Sequence, residues 1–396
     1  MRKGWEYKKL GEVTSFFRGL TYSGKDEVDK SNNIVLRSNN IDLSTNSLNF
    51  DELKFISDSI TIPQDKKLRK NSIFMCMSNG SKQHLGKVAF IEKEYPYAFG
   101  GFMGLIVPNE DKLVPKFTYY YFCSQKFKAY LSAIGNGANI NNIKYNDIAK
   151  DSIPLPPKST QLAIVSELDK INELIRLKKE QLKDFDNLAQ SLFYEMFGDP
   201  VENEKGWEAK KLGDVCTDIK YGTSKPASEN GRYTYLRMCN LTTDGFLDLS
   251  NTKQIDIPDD EIEKCIVRYG DILFNRTNSI ELVGKTCLFD KKEPMVIAGY
   301  IIRVRLNDTL LPVVLSRMFN LASIKKLLRS MAKGAVNQAN INSKELASIR
   351  IPLPPLSLQR LFAQRIEQIE REKSEVQKSI QDFETLLASR IQYWFE

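Results

Sequence analysis

The sequence predicts an α+β protein built as two globular halves in pseudo-twofold repeat, joined by two long helices that pair as an antiparallel coiled coil. Three observations lead there. The stretch from Ile153 to Phe197 carries apolar residues in steps of three, four or seven. The same device returns from Ile351 to the end of the chain, at an offset of 198 residues. The segments before the two stretches open on nearly the same ten residues. A chain of 396 residues is too long for one core, so each half is expected to build its own.

The first helical stretch opens Ile153-Pro154-Leu155-Pro156-Pro157. Two adjacent prolines neither continue a strand nor sit in a helix interior, so they act as a stiff lead-in. Beyond them Leu168, Ile171, Ile175, Leu182, Phe185, Ala189, Leu192 and Met196 form a narrow seam, the spacing of a coiled coil. Lys178, Lys179, Glu180, Lys183, Asp184 and Asp186 lie between and belong in water. Gly198-Asp199-Pro200 stops the helix.

At the chain end Ile351-Pro352-Leu353-Pro354-Pro355 precedes a second seam of Phe362, Ile366, Ile369, Val376, Ile380, Phe383, Leu387 and Trp394. Ile171 maps on Ile369 and Phe185 on Phe383. Lys373 and Arg390 interrupt this seam, where a polar residue costs stability but fixes register. At about 1.5 Å per residue, each helix spans roughly 60 Å. Neither has a neighbour in its own half long enough to cover it, so the two are expected to pair. The boundaries this implies are 1–152 and 199–350 for the globular parts, with helical spacers at 153–198 and 351–396.

The repeat reaches well beyond the helices, which decides how the chain is divided. Gly4-Trp5-Glu6-Tyr7-Lys8-Lys9-Leu10-Gly11 is echoed by Gly206-Trp207-Glu208-Ala209-Lys210-Lys211-Leu212-Gly213. Leu36-Arg37 answers Leu236-Arg237, Leu85-Gly86-Lys87 answers Val283-Gly284-Lys285, and Ala138-Asn139-Ile140-Asn141 answers Ala339-Asn340-Ile341-Asn342. Between these anchors the halves diverge. Ser72–Met77 and Asp271–Phe274 read as buried strands, each followed by a polar loop and a second strand. Phe117–Leu131 and Val313–Met331 read as helical. Trp5 and Trp207 are placed at the base of each half.

Composition narrows the function. A hydrophobic share of 42% and a charged share of 27% are those of a soluble protein. No apolar run long enough for a membrane span or a signal peptide occurs, so a cytoplasmic location is expected. Six scattered cysteines give neither a zinc site nor a disulfide framework. One histidine, His84, leaves no material for a His-rich metal site. A net charge of +7 permits a polyanion partner without requiring one.

Catalytic motifs are incomplete. Gly284-Lys285-Thr286 looks like the end of a phosphate loop, but Ser279 stands where that pattern needs glycine. Asp259, Glu261 and Glu263 lack a lysine in nuclease register and read as solvated acids. No Asn-Pro-Pro-aromatic string occurs. The polar loops carry more. Asn, Gln and Arg present paired hydrogen-bonding groups in one plane, the geometry that reads base edges in a major groove. Asn79, Lys82, Gln83, His84 and Lys87 form one set, and Asn275, Arg276, Asn278 and Lys285 another. Arg37, Arg237, Asn139, Gln338 and Asn340 are further candidates. Basic runs at 66–70 and 325–329 are suited to phosphates or to solvated helix faces.

Two variable domains alternating with two similar helical regions, each introduced by Ile-Pro-Leu-Pro-Pro, resemble the specificity subunit of type I restriction-modification systems. The resemblance spans nearly the whole chain. It rests on the Gly-Trp-Glu-x-Lys-Lys-Leu-Gly starts, on Gly270-Asp271-Ile272-Leu273-Phe274-Asn275-Arg276 with Val283-Gly284-Lys285, and on Gln161 and Gln359 at the helix starts. It implies that each variable domain is a target-recognition domain for one half of a bipartite site on double-stranded DNA. It implies that the coiled coil sets the spacing and docks two modification (methyltransferase) subunits, with restriction/translocase subunits in the full complex. Adenine methylation and ATP-dependent cleavage would reside in those partners, with S-adenosylmethionine, ATP and magnesium, so that this chain is non-catalytic and binds no cofactor. Phe74-Met75-Cys76-Met77 departs from the second half's string. Unlike loops imply unlike half-sites, hence an asymmetric, split target. Three other readings are the recognition chain of a combined restriction-methylation enzyme, a single-chain methyltransferase and a protein-binding coiled-coil scaffold.

Overall fold

A computed structural model describes residues 4–81, 84–134, 142–335 and 338–396. The chain forms two compact units, residues 1–179 with 378–396, and residues 180–377. Each unit therefore holds one globular domain, one half of the central helix (Lys158–Phe197) and one half of the C-terminal helix (Leu356–Phe395). Both helices are 40 residues long.

The two globular domains repeat one plan. In the first, strands Thr14–Arg18, Met103–Pro108, Ser72–Cys76 and Val88–Ile91 form an antiparallel sheet in that order. In the second, Cys216–Tyr221, Ile301–Leu306, Ile272–Asn275 and Thr286–Leu288 do the same. The repeated Lys-Lys segments open each domain as a strand paired with its Ile-Pro stretch. Glu6–Lys9 lies antiparallel to Ser152–Leu155, and Ala209–Lys211 to Arg350–Pro352. The lead-in to each helix is thus the last strand of its domain, ended by the double proline. A second small sheet in each domain contains one parallel pair, Ala98–Phe99 with Asn33–Leu36 and Met295–Ile297 with Tyr233–Leu236. The segments expected to be helical are each two helices, broken at Ser124 and at Asn320–Leu321.

A buried glutamine fastens each helix to its domain. Gln161 accepts from the Val114 N–H at 2.8 Å and donates to the Lys112 and Pro156 carbonyls at 3.0 and 2.9 Å. Gln359 accepts from the Leu311 N–H at 2.9 Å and donates to the Thr309 and Pro354 carbonyls at 3.0 and 2.8 Å. Both are fully buried. A primary amide satisfies one donor and two acceptors that a loop crossing a helix start otherwise strands away from water. Charged contacts add a second tie. Asp169 on the central helix accepts from Tyr120 at 2.6 Å and Lys116 at 3.1 Å, and Glu370 accepts from Arg317 at 2.5 Å.

Within each unit the helices run antiparallel. In the first, Arg390 pairs with Glu167, whose other oxygen accepts from the Trp394 indole at 3.1 Å, and Lys179 meets Glu384 at 2.8 Å. The Arg390 hydrogen bonds, with weaker help from Trp394, hold the Glu167 carboxyl below the usual carboxylate range. In the second, Lys373 meets Asp186 at 2.5 Å, and Phe193 and Phe197 pack edge-on against Phe362 at 5.6 and 5.0 Å. The polar interruptions of the seam are therefore cross-helix ion pairs, which specify which residues face each other. Leu168, Ile171, Ile175, Leu192, Ile366, Ile369, Val376 and Ile380 are buried, whereas Leu182, Phe185, Phe383 and Leu387 are half-buried. Trp5 stacks on Trp394 with ring centres 6.4 Å apart, and the Trp207 indole donates to the Phe197 carbonyl at 2.9 Å.

The second domain carries a buried arginine without counterpart in the first. Arg303, fully buried mid-sheet where register places Leu105 in the first domain, pairs with Asp218 and donates to the carbonyls of Glu263 and Ile266. No helix among the described residues is long and apolar enough to cross a membrane.

Replacing Gln359 with alanine takes the amide partner from three backbone groups, the Leu311 N–H and the Thr309 and Pro354 carbonyls. It is expected to destabilise the chain by about 2–4 kcal/mol, read as a lower urea midpoint at unchanged m-value.

Candidate nucleic-acid interface

The repeated Gly-Lys pair proves to be a structural turn. Gly86 donates to the Cys76 carbonyl at 2.9 Å and Lys87 accepts from Cys76 N–H at 2.9 Å; Gly284 and Lys285 do the same with Asn275 at 2.9 and 2.8 Å. Both glycines have positive φ, +75° and +81°. A β-carbon at Gly86 would lie 2.4 Å from Leu131, and one at Gly284 2.7 Å from Leu328. Only glycine fits a left-handed turn pressed under a helix. The lysine ends donate to carbonyls, Lys87 to Ile41 at 2.9 Å and Lys285 to Met238 at 3.0 Å. Burial pulls both ammonium groups below their ordinary range. Two candidates thus change role. Lys87 is buried with its charge turned to the backbone, and Asn275 is a fully buried strand residue whose side chain accepts from the Thr277 N–H at 3.2 Å. Both side chains are turned inward, Lys87 Nζ to the Ile41 carbonyl and Asn275 Oδ1 to the Thr277 N–H.

The Leu-Arg pairs form a second repeated turn. Asn40 accepts from the Arg37 N–H at 2.8 Å and Asn240 from the Arg237 N–H at 2.8 Å. These asparagines are buried and each donates to two further carbonyls. Arg237 donates to the Asn251 carbonyl at 2.8 Å. Arg37 is exposed and lines an open cleft of about 810 Å³ in the first domain.

That cleft opens at the polar loops of the first domain. Arg18, Asn39, Asn79 and Phe102 line it with Arg37. Asn79 is held in place, donating to the Ser38 hydroxyl at 3.1 Å and accepting from the Ser81 N–H at 2.9 Å. Arg18 and Arg37 supply positive charge, set against the carboxylates of Glu27 and Glu52 on the same walls. Tyr22 stands beside them; burial pushes its phenol pKa up while Arg37 opposes the rise. Sequence reasoning passed over Arg18, Asn39 and Phe102, since nothing local marks a residue that becomes a cleft wall through a distant loop. His84 is half-buried, with its Nδ1 enclosed and unbonded. Lys82, Gln83 and Asn139 lie outside the described residues.

In the second domain the candidates converge on Arg276. Its guanidinium lies 4.7 Å from the Tyr221 ring centre, a cation–π contact. It also donates to Asn340 Oδ1 at 3.2 Å and to the Gly299 carbonyl at 3.5 Å. Stacking holds the planar fork of an arginine ready for bidentate recognition. Asn278 and Asn340 occupy facing strands, Thr277–Asn278 against Gln338–Asn340, with Gln338 exposed. Three acids after Pro258 are tied to bases: Asp259 to Arg232, Glu261 to Lys225 and Glu263 to Arg268.

Two copies of one α+β domain, each fixed to a long helix and each carrying arginine and amide side chains at its loop edges, make a duplicated two-domain protein. The match to known families says which kind. The family model described as type I restriction modification DNA specificity domain matches residues 2–184 and again 204–382, and the chain belongs to this family. The specificity subunit of the type I restriction enzyme EcoKI from Escherichia coli K12 is 25% identical over 396 residues, covering 96% of this chain and 84% of that protein. The StySPI specificity subunit from Salmonella potsdam is 25% identical over 409 residues, covering 98% and 87%. A chain in a solved structure of a type I restriction-modification system superposes with a TM-score of 0.60 at 20% identity, covering 99% of this chain and 97% of its own, a likeness of fold.

Arg276→Ala is expected to weaken recognition at one half-site only, by about 1–3 kcal/mol; uniform loss over all sequences in a competition assay marks a phosphate contact. A pH dependence follows from Lys325, which donates to the Gly284 carbonyl at 2.8 Å. Burial, with help from Arg329 and Lys285, pulls its ammonium down to about 8 from 10.5. Below pH 8 the lysine is charged in both folded and unfolded chains and its penalty is constant. As pH rises from 8 to 10.5 only the unfolded chain keeps the proton, so stability rises. Each unit of that depression is worth about 1.4 kcal/mol, and Lys325→Met removes the increment from unfolding measured across this range.

Proposed function

We propose that this chain is the DNA sequence-recognition subunit of a type I restriction-modification complex, each domain reading one half of a bipartite site. The single observation that carries this is the duplication itself: one sheet plan and one helix fastening occur twice, at Gln161 and Gln359, while the loops that face outward differ. Divergent loops on a repeated frame are what a reader of two unlike half-sites requires. The paired helices act as the spacer. Half-sites read in major grooves lie about 34–36 Å apart or a multiple of that, and a helix of 40 residues spans about 60 Å.

The chain works as a recognition part and not as the catalyst. Two modification subunits dock on the helices and carry S-adenosylmethionine for adenine methylation. Restriction/translocase subunits join them in the full complex and use ATP and magnesium for cleavage. The role in the cell is cytoplasmic, alongside the DNA it reads.

Methylome sequencing of cells expressing the chain with its modification subunit is expected to return an asymmetric, split motif with a fixed gap. A continuous or palindromic motif contradicts two unlike readers, and methyl transfer by the purified chain alone contradicts the division of labour.

A further inference from the structure

Each domain projects one large aromatic ring into solvent from the same place in the fold. Phe102 is 72% exposed and Tyr300 is 53% exposed. They stand 198 residues apart in sequence. Each precedes its strand by one position, and the paired registers agree: Met103 faces Cys76, and Ile301 faces Asn275. Each follows a glycine, Gly101 or Gly299. The neighbouring loops have diverged, yet both halves place a ring here.

The mounts are stiff. The Phe102 carbonyl accepts from the N–H groups of Met77 and Ser78 at 2.9 and 3.1 Å, and the Tyr300 carbonyl accepts from Arg276 N–H at 3.0 Å. Behind each turn lies a glycine with no room for a side chain. A β-carbon at Gly19 would sit 2.0 Å from the Gly100 carbonyl oxygen, and one at Gly222 2.3 Å from that of Ala298. A ring on a clamped turn keeps its position when something presses on it, and it loses little freedom on binding.

The surroundings say what would press. Phe102 lines the cleft with Arg18, Arg37 and Asn79, and Tyr300 adjoins Arg276 through the backbone. Arginine and amide groups, with the carboxylates of Glu27 and Glu52 also lining the first cleft, make a mixed surface beside an apolar ring. Phe102 has no hydrogen-bonding group, so it cannot read a base edge as Asn or Arg does. What Phe and Tyr share is a flat apolar face, which matches the face of a base rather than its edge.

We propose that Phe102 and Tyr300 are paired wedges, each inserting against the base stack at one step of its own half-site and partly unstacking it. Such insertion kinks the duplex and lets the charged groups close on it. The inference rests on the DNA-reading role above and adds to it two residues that contribute through base faces.

The test uses the full chain and the duplex returned by binding-site selection. Phe102→Ala and Tyr300→Ala are compared with wild type in affinity, salt dependence, and chemical probing of unstacked bases, with permanganate for thymines and diethyl pyrocarbonate for purines. Wild type is expected to produce one hyper-reactive step in each half-site. Phe102→Ala should abolish it in one half only, Tyr300→Ala in the other, with affinity falling about 5- to 100-fold and the salt slope unchanged, since no phosphate contact is removed. Should an alanine variant lose cooperative unfolding, Phe102→Gln and Tyr300→Gln keep bulk without a ring and serve the same comparison. Selective binding by wild type with no hyper-reactive step, or with steps the variants retain, overturns the wedges and leaves the reading of DNA intact. A folded wild type that shows no sequence-selective binding overturns both.

Discussion

A helix of 40 residues with an apolar stripe down one side has to take that stripe out of water, and this one constraint organises the chain. Globular cores cover only part of it. Leu168 and Phe193 enter the cores of their own units, but the stretches around Ile175 and Ile380 reach beyond them. The remedy is a second amphipathic rod, and the duplication supplies one. Hydrophobic pairing is indifferent to register, so direction and alignment fall to charges. Arg390 with Glu167 in one unit and Lys373 with Asp186 in the other tie specific turns together at little gain in stability but with a heavy penalty for misalignment.

The same logic of separate tasks holds in the domains. Residues that repeat between the halves are occupied with building. Gly86 and Gly284 make a turn no other residue tolerates, Lys87 and Lys285 donate to carbonyls, and Asn40 and Asn240 close a loop. Only some of the residues that differ lie at the outward loop edges, while Arg303 and Met77 are buried. Arg276 on Tyr221 has no parallel in Met77, which occupies the matching place and is buried. Recognition can therefore change by substitution at the loop edges without disturbing the sheet, the helix fastening or the spacer.

Frame and surface were not equally legible in the primary structure. The α+β class, the repeat, the two rods and the seam could all be read, because periodicity and self-similarity are written along the chain. The burial and direction of individual loop side chains were less legible. Lys87 and Asn275 have side chains suited to DNA, yet both are buried, since residue type says nothing about which way a strand turns its side chain. Arg18, Asn39 and Phe102 escaped notice because their cleft is assembled from segments far apart in sequence. The helical segments near 117 and 313 were placed well but read as single elements, with no local signal for the breaks at Ser124 and Asn320.

By itself, the sequence determined that there would be two like domains, two paired helices and no complete catalytic motif, since each depends on local pattern and composition. Only the tertiary structure decided that a buried glutamine locks each helix to its domain, that the repeated Gly-Lys pair forms a left-handed turn, and that one arginine lies inside the second sheet. Those outcomes depend on which backbone groups would otherwise go unsatisfied once distant segments meet, and no single stretch of chain carries that information.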